Sequence, residues 1–140
     1  MNQFNMLGKH IGEIDSLVND WIARLGLTYN HFAVLYSLAN AAGEPCSQKQ
    51  IGEEWYLPKQ TVSNICKQYR EQGWIECHDS PQDKRERILY LTDAGKAEAE
   101  PVLQATQAVF DKAFKAFGKT KTAQLFALME EFSQTCRRQF

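Results

Sequence analysis

Between residues 58 and 70 the chain carries Lys59, Gln60, Thr61, Ser63, Asn64, Lys67 and Arg70 and no acidic residue. Amide, hydroxyl and ammonium groups are the donors and acceptors that bond to base edges and phosphate oxygens, and a helix is of the right width to bring them into a major groove. A polar outer face is nevertheless the norm on a soluble helix, so this stretch does not decide anything by itself. A second basic cluster, Lys84, Arg85 and Arg87, lies beside Asp83 and Glu86 in a stretch rich in turn formers. Residues 1–57, by contrast, set only Lys9, Arg24 and Lys49 against Glu13, Asp15, Asp20, Glu44, Glu53 and Glu54. With a formal net charge of -1, any affinity for an anionic polymer has to come from local patches.

Other chemistries find little support. Cys46, Cys66, Cys77 and Cys136 form no Cys-x-x-Cys pair and no Cys/His cluster with the spacing of a zinc site, so separate reduced thiols are expected. Cys66 and Cys136 fall within helical patterns, where free cysteine serves as a small hydrophobe. His10, His31 and His78 are scattered. No Gly-x-Ser-x-Gly elbow, phosphate loop or His-Glu-x-x-His run is present, and we expect no enzyme, no metal and no cofactor. The N-terminus lacks a basic segment followed by an apolar run, and no apolar stretch approaches a membrane span, so a soluble, intracellular protein is expected.

These residues need elements to position them. At 140 residues and 44 % hydrophobic content the chain is the size of one domain. Phe4, Leu7, Ile11, Ile14, Val18, Trp21 and Leu25 recur at helical spacing up to Gly26; the stripe is either core packing or a seam against a second subunit. Thr28 caps a second helix bearing Phe32, Val34, Leu35, Leu38 and Ala39, which ends at Gly43-Glu44-Pro45. Ser47-Gln48-Lys49-Gln50 has the form of a capping box, and the short helix it starts is interrupted at Leu57-Pro58, where proline suits the first position of the next. That helix buries Val62, Ile65 and Tyr69, turns its polar residues outward and stops at Gly73. Trp74–His78 and Arg87–Leu91 read as strands of a hairpin with a long charged tip. A helix from Thr92-Asp93 runs to Gly118 with a kink or restart at Pro101, and Thr120 caps the last, aromatic-rich helix.

A short capped helix, a helix with an outward polar face and a hairpin with a basic tip, in that order, make a winged helix-turn-helix. The run Ile65–Gly95 resembles the multiple-antibiotic-resistance regulator (MarR) family of bacteria. The resemblance rests on Gly73-Trp74-Ile75-Glu76, on Asp83-Lys84-Arg85 and on Leu91-Thr92-Asp93-Ala94-Gly95, with the wing signature Asp-x-Arg, five residues, Leu-Thr matched by Asp83, Arg85, Leu91 and Thr92. The implied fold is mainly α with a small β-hairpin. The implied organisation is one domain, 1–140, with dimerisation helices at 1–27 and 95–140 around a DNA-binding lobe at 28–94.

The resemblance further implies a cytoplasmic regulator of transcription, a repressor released by a small-molecule effector. Its partners would be a near-palindromic double-stranded operator, a second copy of itself and a small aromatic or phenolic ligand. Arg85 would enter the minor groove, where narrow A·T-rich sequence concentrates negative potential, and Asp83 would orient neighbouring arginines. Ser47, Lys49, Lys59, Gln60, Thr61, Ser63, Asn64, Lys67, Lys84 and Arg87 complete the expected DNA contacts. The N- and C-terminal helices of two subunits would interlock, which favours the seam reading of the first helix. Trp21, Tyr29, His31, Phe32 and Tyr36 are candidates for an effector pocket, against the plainer reading that they are packing residues. A thiol- or metal-responsive DNA-binding sensor and a winged-helix protein-interaction module are the alternatives.

Overall fold

Local start and stop signals account for most element boundaries in the computed structural model, which describes residues 1–140. The order is α1 (Gln3–Arg24), α2 (Tyr29–Ala41), β1 (Cys46–Ser47), α3 (Gln48–Trp55), α4 (Lys59–Glu71), β2 (Ile75–Asp79), β3 (Arg87–Leu91), α5 (Asp93–Phe117) and α6 (Lys119–Gln139). The chain is thus mainly helical with one small antiparallel sheet. Thr28 caps α2 by accepting from the His31 N–H. At α3 both halves of the capping box form: the Gln50 N–H donates to Ser47 Oγ (3.0 Å) and the Ser47 N–H donates to Gln50 Oε1 (2.9 Å). Pro58 sits one position earlier than expected, as the N-cap of α4 with extended backbone (ψ 143°). No helix is long and apolar enough to cross a membrane.

Beyond Pro58, the sheet and the start of α6 differ from expectation, and of the two outcomes expected at Pro101 the restart does not occur. The sheet has a third strand, because β1 pairs with β3 (Cys46↔Leu89, Ser47↔Ile88), giving the order β1-β3-β2. Two residues between a helix-ending turn and a capping box carry no periodicity, so β1 is invisible until β3 is beside it. Helix α5 runs through Pro101 without a restart. Pro101 and Ala97 are both exposed, so the Ala97 carbonyl that loses its amide partner can be solvated. Helix α6 begins before Thr120: Gly118, at φ 113°, reverses the chain and accepts the Thr122 N–H through its carbonyl.

By contact density the chain forms two units, Met1–Leu103 and Gln104–Phe140. The first holds a core drawn from α2 (Val34, Leu35, Leu38), α3 (Ile51), α4 (Val62, Ile65, Cys66, Tyr69) and the sheet (Ile75, Leu89). The buried positions of α4 follow one helical face, which leaves its polar residues pointing away from the core. Helix α1 is different. Ile22 is its only buried residue, while Phe4, Ile11, Ile14 and Leu17 are each about 60 % exposed or more. In the second unit, the end of α5 and α6 meet through an edge-to-face contact of Phe114 and Phe126, yet α6 buries no residue at all.

The hairpin β2–β3 is rooted at one junction. The Thr92 N–H donates to the Trp74 carbonyl (2.9 Å), the Thr92 hydroxyl donates to the Gly73 carbonyl (2.6 Å), and the Gly95 N–H donates to Thr92 Oγ1 (3.1 Å). Gly95 is required there for space, since a Cβ would overlap the Trp74 carbonyl oxygen and press on Leu91. The Leu-Thr-x-x-Gly part of the signature is therefore a structural lock. Gly95→Ala should lower stability by about 2 kcal/mol, the cost of forcing an extra carbon into packed backbone. A urea or thermal melt checks this, and an unchanged midpoint would contradict the lock.

Candidate nucleic-acid interface

Helices α3 and α4 and the hairpin enclose one open cleft of about 860 Å³. Its cations come from all three elements: Lys49 from α3; Lys59, Lys67 and Arg70 from α4; Arg85 and Arg87 from the wing. Ser63 adds a hydroxyl, and Glu53, Asp83 and Glu86 are the acids on its lining. None of the six cations is in an ion pair. The chain's ion pairs join Lys9 and His10 to Glu13 and His78 to Glu76, away from the cleft. Six unpaired cations lining one open cleft suit a polyanion, whose counterions such contacts release.

The outward face of α4 divides into two stripes. Lys59, Ser63, Lys67 and Arg70, at helical steps of 4, 4 and 3, line the cleft. Gln60 and Asn64 lie on the neighbouring stripe, where Gln60 Nε2 donates to Asn64 Oδ1 (2.9 Å). The pair presents one free amide donor edge and one acceptor edge in fixed register, a suitable surface for a base edge. Thr61 is partly buried beside them. Arg70, absent from the residues expected to touch DNA, belongs with them; the step from Lys67 is the signal that identifies it.

The wing tip is ordered by its own polar groups. Ser80, which is buried, accepts through Oγ from the Gln82 and Asp83 N–H groups, while its own N–H donates to the Glu86 carbonyl. The Asp83 carboxylate accepts from the Arg85 N–H (2.9 Å). Asp83 was expected to orient arginine side chains; what it holds is the Arg85 backbone, leaving that guanidinium unpaired. Lys84 is exposed at the tip but outside the cleft lining. Ser47 is a correction: it is wholly buried, with its hydroxyl engaged in the α3 cap, and is not available as a surface contact.

The aromatic candidates are engaged with one another. Phe32 stacks on Tyr36, and Tyr29, Phe32 and Tyr36 all meet the edge or face of Trp55, whose indole N–H donates to Ser37 Oγ (2.7 Å). Trp55, not foreseen, is the centre of this group. His31 is held apart from it: Nδ1 contacts Thr28 Oγ1 and Nε2 contacts Gln68 Oε1 (2.8 Å each), while the Tyr69 hydroxyl donates to the His31 carbonyl. His31 thus ties the start of α2 to the far half of α4. Trp21 is half-buried on α1.

No group of three or more His, Cys, Asp or Glu side chains is arranged to hold a metal ion. Burial, then the neighbouring Cys77 and Cys46, push the Cys66 thiol up to about 12; burial and Glu54 push Cys46 up to about 11. Cys77 and Cys136 are only partly buried, so the expectation that Cys136 is simply a buried hydrophobe does not describe the single chain.

A short capped helix, a helix with two polar stripes and an ordered basic wing around one cationic cleft define a winged helix-turn-helix regulator. The sequence profile of the MarR family matches residues 25–86. The chain is 43 % identical to NMB1585, a MarR family regulator from Neisseria meningitidis, over 99 % of this chain and 96 % of that one, with a TM-score of 0.89. It is 32 % identical to YdcH, an uncharacterized HTH-type transcriptional regulator of Bacillus subtilis (strain 168), over 78 % of this chain and 75 % of that protein. A structure of reduced AbfR bound to DNA is similar at 25 % identity and a TM-score of 0.67, covering 96 % of this chain and 92 % of that one. The chain belongs to the MarR family of transcriptional regulators.

The raised thiol values imply a reactivity order. A shift from 9.0 to about 12 lowers the thiolate fraction at neutral pH roughly 1000-fold. Alkylation of the native protein at pH 8, followed by peptide mass spectrometry, should label Cys77 and Cys136 first and leave Cys46 and Cys66 intact until denaturant is added. Early labelling of Cys66 would show that the lobe opens.

Proposed function

We propose that this regulator binds double-stranded DNA sequence-specifically as a homodimer and represses transcription until a small aromatic or phenolic effector releases it. The cationic cleft between α3, α4 and the wing is the observation that carries this reading. Residues 28–94 act as the reading lobe. The first turns of α4 enter the major groove, where Gln60 and Asn64 meet base edges with Thr61 and Ser63 beside them. Lys49, Lys59, Lys67, Arg70, Lys84 and Arg87 neutralise phosphates, and Arg85 reaches the adjacent minor groove. The structure of AbfR bound to DNA supports DNA as the partner class.

The exposed apolar stripes support the homodimer. Ile11, Ile14 and Leu17 on α1, and Leu128, Met129 and Phe132 on α6, are each more than half exposed, and contiguous apolar surface of that kind marks an interaction site. Segments 1–27 and 95–140 would serve as dimerisation helices, spacing two reading lobes roughly 34 Å apart for a near-palindromic site. Effector release draws on His31, whose bonds to Thr28 and Gln68 join the start of α2 to α4. A ligand settling among Trp21, Tyr29, Phe32 and Tyr36 would act on α4 through that tie.

Selection from random duplex DNA, followed by titration of variants, tests the reading. Arg85→Ala should weaken operator binding by roughly 10-fold or more and flatten the preference for A·T-rich flanks, whereas Gln60→Ala and Asn64→Ala should relax preference at particular base pairs, each worth about 1–3 kcal/mol. A protein with no sequence preference at physiological salt would sink the proposal. Ile14→Glu places a charge in the stripe of α1 and should give a monomer by sedimentation with sharply reduced operator affinity; a dimer of unchanged stability would remove α1 from the interface.

A further inference from the structure

Between Leu17 and Val109 the only large exposed hydrophobic residue is Tyr56, 83 % exposed at the turn from α3 to α4. Its backbone is left-handed (φ 54°, ψ 47°). At Gly26, Gly43, Gly73 and Gly118 the chain meets positive φ with glycine, and Ala42 is the only other residue with a side chain in that state. A tyrosine there is strained relative to glycine, and its ring gains nothing within the chain in return. It makes no ring contact and no side-chain hydrogen bond. Backbone strain retained with an exposed aromatic is a reason to look for an external partner.

The position of Tyr56 indicates which partner. Lys49, Gly52 and Glu53 on α3 line the cationic cleft, and α3 ends at Trp55, so Tyr56 lies in the turn that follows them. Leu57 and Lys59, immediately after it, line the same cleft. Tyr56 is not itself on the cleft lining, but residues on both sides of it in the chain are, so the turn that carries it borders the face that would meet the backbone of a bound duplex. A phenol is a neutral donor that phosphate oxygens accept.

We infer that Tyr56 is a DNA-backbone contact, its hydroxyl donating to a phosphate oxygen on the strand that borders the groove entered by α4. The inference rests on the DNA-binding reading above and adds to it a contact of a distinct electrostatic kind. Lysine and arginine contacts release counterions, so losing one makes the logarithm of affinity less steep against the logarithm of salt. A neutral donor releases none. Loss of the Tyr56 hydroxyl should displace that line without changing its slope, and should do so equally on all sequences.

The test is a salt series of fluorescence-anisotropy titrations with a selected duplex of about 30 base pairs, long enough for two half-sites one helical turn apart. Tyr56→Phe should weaken binding about 5- to 150-fold with the wild-type slope, the loss expected for one hydrogen bond in each of two half-sites. Tyr56→Gly should weaken it at least as much while its melting temperature is no lower than wild type, because glycine accepts the left-handed backbone. Lys59→Ala, run alongside, should reduce the slope by about 2, one phosphate contact being lost in each half-site. Wild-type affinity in Tyr56→Phe, or a reduced slope, overturns the inference. So does retained affinity in Tyr56→Phe with loss in Tyr56→Gly, which would assign the ring face to a different contact. If Tyr56→Phe binds normally while Lys59→Ala and Arg85→Ala lose affinity, the phosphate contact is wrong and the cleft stands; if the wild-type protein shows no preference for its selected duplex, both fall.

Discussion

The wing leaves the body of the protein at Gly73-Trp74 and returns at Leu91-Thr92, and one junction closes that loop. Thr92 holds the carbonyls of Gly73 and Trp74 with its hydroxyl and amide, and its hydroxyl oxygen also accepts the N–H of Gly95, the third residue of α5. Because α4 runs directly into Gly73, fixing the root of the hairpin fixes the distance and angle between α4 and the wing tip. The cleft between them exists only under that constraint. Without it, Arg85 and Arg87 would be cations on a free hairpin, and the cations of α4 would be an ordinary solvated face.

Charge segregation does the rest. A chain with a net charge of -1 builds a cationic surface by concentrating Lys49, Lys59, Lys67, Arg70, Arg85 and Arg87 on one cleft and leaving most acids elsewhere. The acids that do lie at the wing need not neutralise it. Asp83 uses its carboxylate on the Arg85 backbone amide, and the Glu86 main chain closes the tip with Ser80 and Asp83. The carboxylate therefore orders the loop and leaves the arginine side chain unpaired. Exposed cations held on ordered backbone lose less freedom on binding than cations on a mobile loop.

Behind the cleft, α2 connects the reading helix to the rest of the lobe. Tyr69 and Gln68 of α4 reach His31 at the start of α2, and the Tyr29, Phe32, Tyr36 and Trp55 rings lock α2 against α3. The start of α2 is thus tied by hydrogen bonds to α4 and by ring packing to α3. Burial among these groups raises the Tyr69 phenol above its ordinary value, so it stays a donor to His31 across the physiological range.

Residue order by itself determined the caps at Thr28 and Ser47, the break at Leu57-Pro58 and the buried stripe Val62–Ile65–Tyr69, because each depends on neighbours within about four residues, and the hairpin, because a turn-rich loop separates its two strand-like runs. It also carried the wing signature, since Asp83, Arg85, Leu91 and Thr92 serve a local turn and its root. What lay beyond it were relations between distant segments. The strand β1 exists only beside β3; Ser47 is buried because that pairing and the cap enclose it; Trp55 gathers rings from α2; and Arg70 becomes part of a cleft only when the wing folds over α4. Spacing along a chain shows which residues share a face, whereas tertiary packing decides what that face meets. The helix with its acid-free polar surface was legible from the start, but only the fold, by rooting the wing at Thr92 and Gly95, made that surface one wall of a cationic cleft.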